Sequence, residues 1–339
     1  MKGPTVYAIL LLMALVGCLK QQGELNSKSV PGCTALGEGV SQNPNCIEDP
    51  SSAQEPVWQQ MADMQYSANE MISTVVGNSI YTFGGTNIET DLFQLYDSEL
   101  DHWSLLGHMP QAFYRSSAES FGNNIYIFGG VSHENYLSET YMYDTVLNIW
   151  TTMSSMPQVR ALHCSGKVGD RVFLIGGWNG SEEVDSVEVY DFTSNSWSTV
   201  SAQPIPRFAH SCVVFGDKIF VIGGWKNKGS ILSRDVEIYD TTNNSWSLAE
   251  PMPTARSYFS AERIGNKIYA IGGWFNPGRS SDIEVYEINL GTWSQGEALP
   301  FPIGFHGSEK IGDAIFIFGG EKGENIFGSK SSYKYKPQQ

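Results

Sequence analysis

From residue 56 onward, apolar and polar residues alternate in short runs with the two-residue period of β-strands. One stretch shows the order best. Phe208-Ala-His-Ser-Cys-Val-Val-Phe leads into Gly216-Asp217, then Lys218-Ile-Phe-Val-Ile-Gly-Gly, then Asp235-Val-Glu-Ile-Tyr-Asp and finally Trp246. This predicts a strand, a tight turn, a second strand ending in Gly-Gly, a third ending near a tyrosine and a fourth carrying the tryptophan. The same order recurs along the chain. Trp58, Trp103, Trp150, Trp197, Trp246 and Trp293 each precede by 27 residues the second glycine of a Gly-Gly pair, at Gly85, Gly130, Gly177, Gly224, Gly273 and Gly320. Six copies of one interval define a repeat array.

The turns explain why the register holds. Gly77-Asn78, Gly122-Asn123, Gly169-Asp170, Gly216-Asp217, Gly265-Asn266 and Gly312-Asp313 are two-residue hairpin loops, with glycine supplying the positive φ that a type II′ turn needs at its first position. Gly-Gly allows backbones to approach closely where strands converge. Tyr96, Tyr143, Tyr190, Tyr239 and Tyr286 each precede a tryptophan by seven residues and are suited to filling the widening space between sheets. The last unit lacks its tryptophan, and Trp58 lacks a preceding Gly-Gly. The strand around Trp58 is therefore expected to complete the last sheet and close a ring, with Tyr333 or Tyr335 as its tyrosine partner. Closure removes exposed sheet edges.

This arrangement resembles the kelch repeat family over about five-sixths of the chain, and the resemblance implies an all-β fold, a six-bladed β-propeller, over 56–339. Residues 1–17 read as a signal peptide, because Lys2 precedes an apolar run too short to span a bilayer. Leu15-Val16-Gly17-Cys18 resembles a bacterial lipobox, so Cys18 is expected to be lipidated, and residues 18–55 read as a flexible polar tether. Leu19 after Cys18 leans towards the outer membrane or cell surface over the inner membrane. Cys33 and Cys46 are free to close a small loop in the tether. Cys164 and Cys212, one residue out of register in neighbouring repeats, are expected to be buried thiols rather than a disulfide.

The net charge of -15 argues against nucleic acid as a partner and against adsorption to anionic lipid through protein charge. Any membrane association is then expected through the N-terminal lipid. No phosphate-binding loop or nucleophile elbow is present, and no cofactor is expected.

Length variation points to one face. The spacing from the second glycine to the tyrosine is 11, 13, 13, 15 and 13 residues, while the other intervals are constant. The loops between strands two and three are therefore expected to form the functional rim. On it stand Trp178, Trp225 and Trp274, directly after Gly-Gly, with Arg160, Arg207 and Arg256 where the same blades are re-entered. Indole faces stack on sugars and guanidinium binds carboxylate, so these six are the ligand-binding candidates, for a glycan or an acidic protein partner. In peptide-binding members of the family, arginines at this repeat position line ligand pockets. The same arginines are equally able to brace loops through backbone carbonyls.

His163, His210 and His306 share one repeat position and are the candidates for a metal, although no cysteine or carboxylate shares their ring and metal binding is not expected. Glu70, Glu134, Glu183, Asp282 and Glu321 reach the rim; Glu321 is the candidate proton-transfer group should the protein act, like an exported bacterial kelch protein that mutarotates sialic acid, on an acidic sugar. A binding role is favoured over that enzymatic one. A scaffold in an envelope complex is the third alternative.

Overall fold

The computed structural model describes residues 57–86, 91–323 and 328–338, all within a compact unit spanning Pro56–Gln339. The signal peptide 1–17, the tether 18–55, Cys18 and the Cys33/Cys46 pair lie outside the described residues. Among the described residues there is no helix, and the strands form six four-stranded antiparallel sheets arranged as the blades of a β-propeller.

From axis to rim, blade 1 runs Ile72–Val76, Ser79–Phe83, Leu92–Asp97 and His102–His108. Blade 2 runs Ser117–Phe121, Asn124–Ser132, Asn135–Asp144 and Ile149–Thr152. Blade 3 has Cys164–Val168, Arg171–Ile175, Val187–Asp191 and Ser196–Val200; blade 4 has Ser211–Phe215, Lys218–Ile222, Val236–Asp240 and Ser245–Ala249. Blade 5 has Ser260–Ile264, Lys267–Ile271, Ile283–Glu287 and Thr292–Gln295. Blade 6 consists of Gly307–Ile311, Ala314–Phe318, Ser332–Tyr335 and, as its outer strand, Trp58–Met61.

The ring is thus closed by the N-terminal strand. Trp58 pairs with Tyr335, as Trp197 pairs with Tyr190 in blade 3, so Tyr335 and not Tyr333 occupies the repeated tyrosine position. Their rings stack at 4.6 Å. The hairpins are those expected: the six glycines have φ between 56° and 64°, whereas the following Asn or Asp is not left-handed. Gly-Gly is required by close approach. A Cβ on Gly176 would lie 2.6 Å from the carbonyl oxygen of Arg207 in the next blade, and one on Gly177 2.7 Å from that of Ala161.

Aromatic residues join the blades. Phe128 of blade 2 packs on Tyr190 and Trp197 of blade 3 at 5.7 and 5.8 Å, and the Trp197 indole donates to the Ser154 carbonyl at 2.8 Å. The Tyr190 hydroxyl donates to Asn195, a left-handed residue in the turn between strands three and four. This tyrosine to Asn or Asp bond recurs as Tyr96–Asp101, Tyr143–Asn148 and Tyr239–Asn244.

One expectation is overturned. Cys164 and Cys212 are joined by a disulfide between blades 3 and 4, with their Cα atoms 5.5 Å apart. Innermost strands of neighbouring blades converge at the axis, and the one-residue offset sets the two side chains facing each other instead of side by side.

Candidate ligand site at the axial mouth

Arg160, Arg207 and Arg256 do not line an open wall. All three are 0% exposed. Arg160 meets Glu188 at 3.0 Å, Arg207 meets Glu237 at 2.7 Å and Arg256 meets Glu284 at 2.9 Å. One Nη1 in each donates to two backbone carbonyls: Gly176 and Ser186, Gly223 and Asp235, Gly272 and Asp282. Burial lowers the pKa of each arginine, and the partner glutamate opposes the shift. Burial likewise raises Glu188 and Glu237 against the pull of their arginines.

The backbone at these positions also ties blades together, since Gly177 N–H donates to the Arg207 carbonyl at 2.8 Å. In blade 2 the equivalent pair is Phe113 and Tyr141, stacked at 6.4 Å with 7° between planes. An ion pair and an aromatic pair thus fill the same space, which marks this position as a blade brace. The ligand-binding role expected for these guanidiniums gives way to an internal one, because they are fully buried and paired with glutamates inside the blades. The signal was present in the sequence: glutamate stands two residues before the repeated tyrosine only in the three blades that have the arginine.

Trp178, Trp225 and Trp274 are half-buried on the expected face, bridged to the re-entering segments at Ala161, Phe208 and Ser257. Trp178 reaches Phe208 of the next blade at 5.4 Å, and the Arg279 guanidinium lies over Trp274. Glu321 is not a free rim carboxylate. It accepts from Asn69 Nδ2 at 2.8 Å, is paired with Arg279 and is 7% exposed. Both carboxylate oxygens are thus engaged by neighbouring side chains, unlike the free rim carboxylate expected for proton transfer.

The axis itself carries a different constellation. Two residues after the arginine position, Glu70, Arg115, Leu162, Ala209, Tyr258 and Phe305 all adopt left-handed φ, between 49° and 58°. Each backbone N–H donates to the carbonyl of the same position in the preceding blade, at 2.8 to 3.2 Å, and Glu70 closes the circle on Phe305. Six blades are thereby laced by six hydrogen bonds around the channel mouth. The backbone groups of this ring are consumed, so its side chains decide what the mouth recognises.

The ring opens on a cavity of about 210 Å³ that reaches down to His163, His210 and His306. Its charged members are Glu70 and Arg115. Arg115 donates from Nε and Nη2 to Glu70 Oε1, at 2.9 and 2.8 Å; the arginine side chain is 31% exposed and the carboxylate 7%. Burial pushes the Glu70 pKa up, and Arg115 pulls against it. Burial would lower Arg115, but the charge and hydrogen bond of Glu70 leave it raised, with help from Tyr258 across the ring. Burial pushes the Tyr258 hydroxyl up to about 12, so it is a donor at neutral pH. Its ring packs on Phe305 at 4.2 Å. The mouth therefore sets a guanidinium with its partner carboxylate opposite a phenol, over a rim otherwise made by Leu162, Ala209 and Phe305. Glu70 is legible in the sequence as a rim carboxylate; Arg115 is not, because its repeat position, two residues beyond the shared arginine position, holds a different residue type in every blade.

The three imidazoles do not form one metal site. His163 and His306 are each bonded through Nε2 to a serine of the preceding blade, Ser117 at 2.9 Å and Ser260 at 2.8 Å. Burial lowers all three, His210 to about 3 and His306 to about 4, so they are neutral at pH 7. Further along the channel, Glu119, Glu262 and Glu309 each accept a hydroxyl from the next blade, from Ser165, Ser308 and Ser73. Burial raises all three carboxyls, Glu262 to about 7.

Comparison with known proteins agrees with this architecture. The family described as the KLHDC2/KLHL20/DRC7 Kelch-repeats domain matches residues 70–252, and the Attractin/LZTR1 beta-propeller matches residues 172–338. A search of curated proteins gives no significant match. Among solved structures, YjhT is similar at 17% identity with a TM-score of 0.72, over 80% of this chain and 95% of that one. That likeness is one of fold.

Proposed function

The chain belongs to the kelch-repeat β-propeller family, a fold of binding and interaction modules, and we propose that it captures a carboxylate-bearing ligand at the axial mouth. The ligand is an acidic sugar, or an acidic side chain presented by a protein partner. The observation that carries this reading is the placement of Arg115, held by Glu70 yet partly open to a cavity of about 210 Å³. A guanidinium offers two parallel donors to a carboxylate, Tyr258 adds a third from the far side, and Phe305 offers an apolar surface to a sugar ring. Half-buried Trp178, Trp225 and Trp274 extend the apolar surface outward on the same face. The leader and Cys18 support export and lipid anchoring at a bacterial cell envelope, outer membrane or surface.

A second reading, a mutarotase-type enzyme on the same acidic sugar, is favoured by one feature. Glu70 is a carboxylate with a raised pKa that lines the cavity beside Arg115. It replaces Glu321 as the group to test for proton transfer.

A thermal-shift panel of uronic acids, other acidic sugars, neutral sugars and acidic peptides tests both readings. A ligand at a hundred times its Kd adds about 2.7 kcal/mol of stability. A shift with an acidic class that vanishes in Arg115→Gln supports the mouth as the site. A shift that survives in Arg115→Gln, or no shift with any acidic ligand, overturns it. Turnover of the bound sugar that is lost in Glu70→Gln while binding persists would favour the enzyme.

A further inference from the structure

Below the mouth, one histidine differs from its repeats. His163 and His306 each hold a serine hydroxyl 46 residues earlier in sequence, Ser117 and Ser260, through Nε2. The residue 46 positions before His210 is Cys164. A thiol thus stands where the other two blades place a hydroxyl. His210 is 7% exposed, and its ring has the Ile175 backbone nearby but no side-chain hydrogen-bond partner. Cys212, two residues after His210, comes from the same strand start, and the nitrogen and both sulfurs lie within 4.8 Å of one another. Among the described residues this is the one cluster of three or more His, Cys, Asp or Glu whose ligating atoms converge so closely. All three residues line the axial channel.

We propose that the Cys164–Cys212 disulfide and a bound d-block cation are alternative states of this wall: the reduced pair and His210 form a Cys2His site for Zn2+ or a cation of similar softness. A dithiol reductant gives two electrons and two protons to the disulfide, which becomes two thiols while the reductant becomes a disulfide. Binding of the divalent cation then releases those two protons and forms two metal–thiolate bonds and one metal–imidazole bond. Bonds of about 2.3 Å to sulfur place tetrahedral sulfurs roughly 3.7 Å apart. Breaking the S–S bond allows that separation. The fourth position faces the channel and is left for water or a small ligand. Thiolate and imidazole donors select borderline-soft metals over Ca2+ or Mg2+. A buried imidazole without a side-chain partner beside two sulfurs is the observation that this use would account for.

The test uses the full chain with Cys33→Ser and Cys46→Ser, so that the tether thiols do not compete. After reduction and removal of the reductant without oxygen, Zn2+ is titrated against a chromophoric chelator, and Co2+ is added to a second sample to read thiolate-to-metal charge transfer. The expected result is one Zn2+ per chain when reduced and none when oxidised, with affinity at least tenfold weaker in His210→Ala. A reduced protein that binds no Zn2+, or a His210→Ala variant with unchanged affinity, overturns the proposal. Should His210→Ala fail to fold, alkylation of the reduced parent decides. Zn2+ should slow modification of Cys164 and Cys212 together, read by peptide mass, and equal rates with and without Zn2+ overturn the site.

Discussion

Arg207 and Glu237 meet at 2.7 Å with side chains 0% and 1% exposed, an ion pair sealed inside one blade. Such a pair is held in place by what its removal would leave behind. A buried charge without its partner retains the full desolvation penalty, whereas replacing both by apolar groups of similar volume does not.

Arg207→Ala is therefore expected to destabilise the protein by about 3–5 kcal/mol, measured by urea unfolding. The double change Arg207→Phe with Glu237→Tyr, copying Phe113 and Tyr141 of blade 2, should recover most of that loss. A single variant within about 1 kcal/mol of the parent would show that the pair is not a brace.

Arg115→Gln makes the opposite separation between fold and binding. Arg115 is partly exposed, so the fold should survive with a modest loss of stability. Affinity for the carboxylate ligand should fall by roughly ten- to a hundredfold, the worth of about 1.5–3 kcal/mol for hydrogen bonds to a charged group. Calorimetric titration reads this directly, and unchanged affinity would remove Arg115 from the site.

Closure by the N-terminal strand makes Trp58 a residue of blade 6. Trp58→Ala removes the 4.6 Å stack on Tyr335 and should lower stability by about 2–4 kcal/mol. In hydrogen exchange the loss should appear first as faster exchange in Ser332–Tyr335, its partner strand. Exchange that accelerates elsewhere while this strand stays protected would contradict the pairing.

Two sets of buried groups should respond to acid with opposite sign. His210 and His306 bind protons in the unfolded chain below about 6.5 but in the folded chain only near 3 and 4, so they withdraw stability as pH falls through that window, and His163, lowered by burial too, acts in the same direction. Glu262 and Glu309 do the reverse. Their folded pKa values lie above the unfolded 4.5, Glu262 at about 7, so protonation of the folded chain adds stability as pH falls from 7 towards 4.5. Between 6.5 and 4.5 the two groups oppose each other; below 4.5 the histidine loss continues and is joined by that of Asp191, Asp235 and Asp240, whose hydrogen bonds hold their pKa values below the usual carboxylate range. Urea midpoints across this range should stay level before falling. Glu262→Gln should shorten the plateau, leaving Glu309 alone against the histidines, so that the decline begins at a higher pH than in the parent. An unaltered profile in that variant would rule out the carboxyl contribution.

The sequence by itself determined the number of blades, their hairpins, the Gly-Gly convergence and the closure through Trp58. These follow from fixed intervals and from alternation, which are local and repeat six times. It could not say which way Arg160, Arg207 and Arg256 point. Strand parity is lost at the left-handed residues that follow, such as Leu162 and Ala209, because a positive φ breaks the pleat that alternation relies on. Only the closed ring decides that Glu70, Arg115 and Tyr258 share one mouth, since they lie on three blades and meet only at the axis. The same convergence, and no spacing rule, brings Cys164 and Cys212 together beside His210.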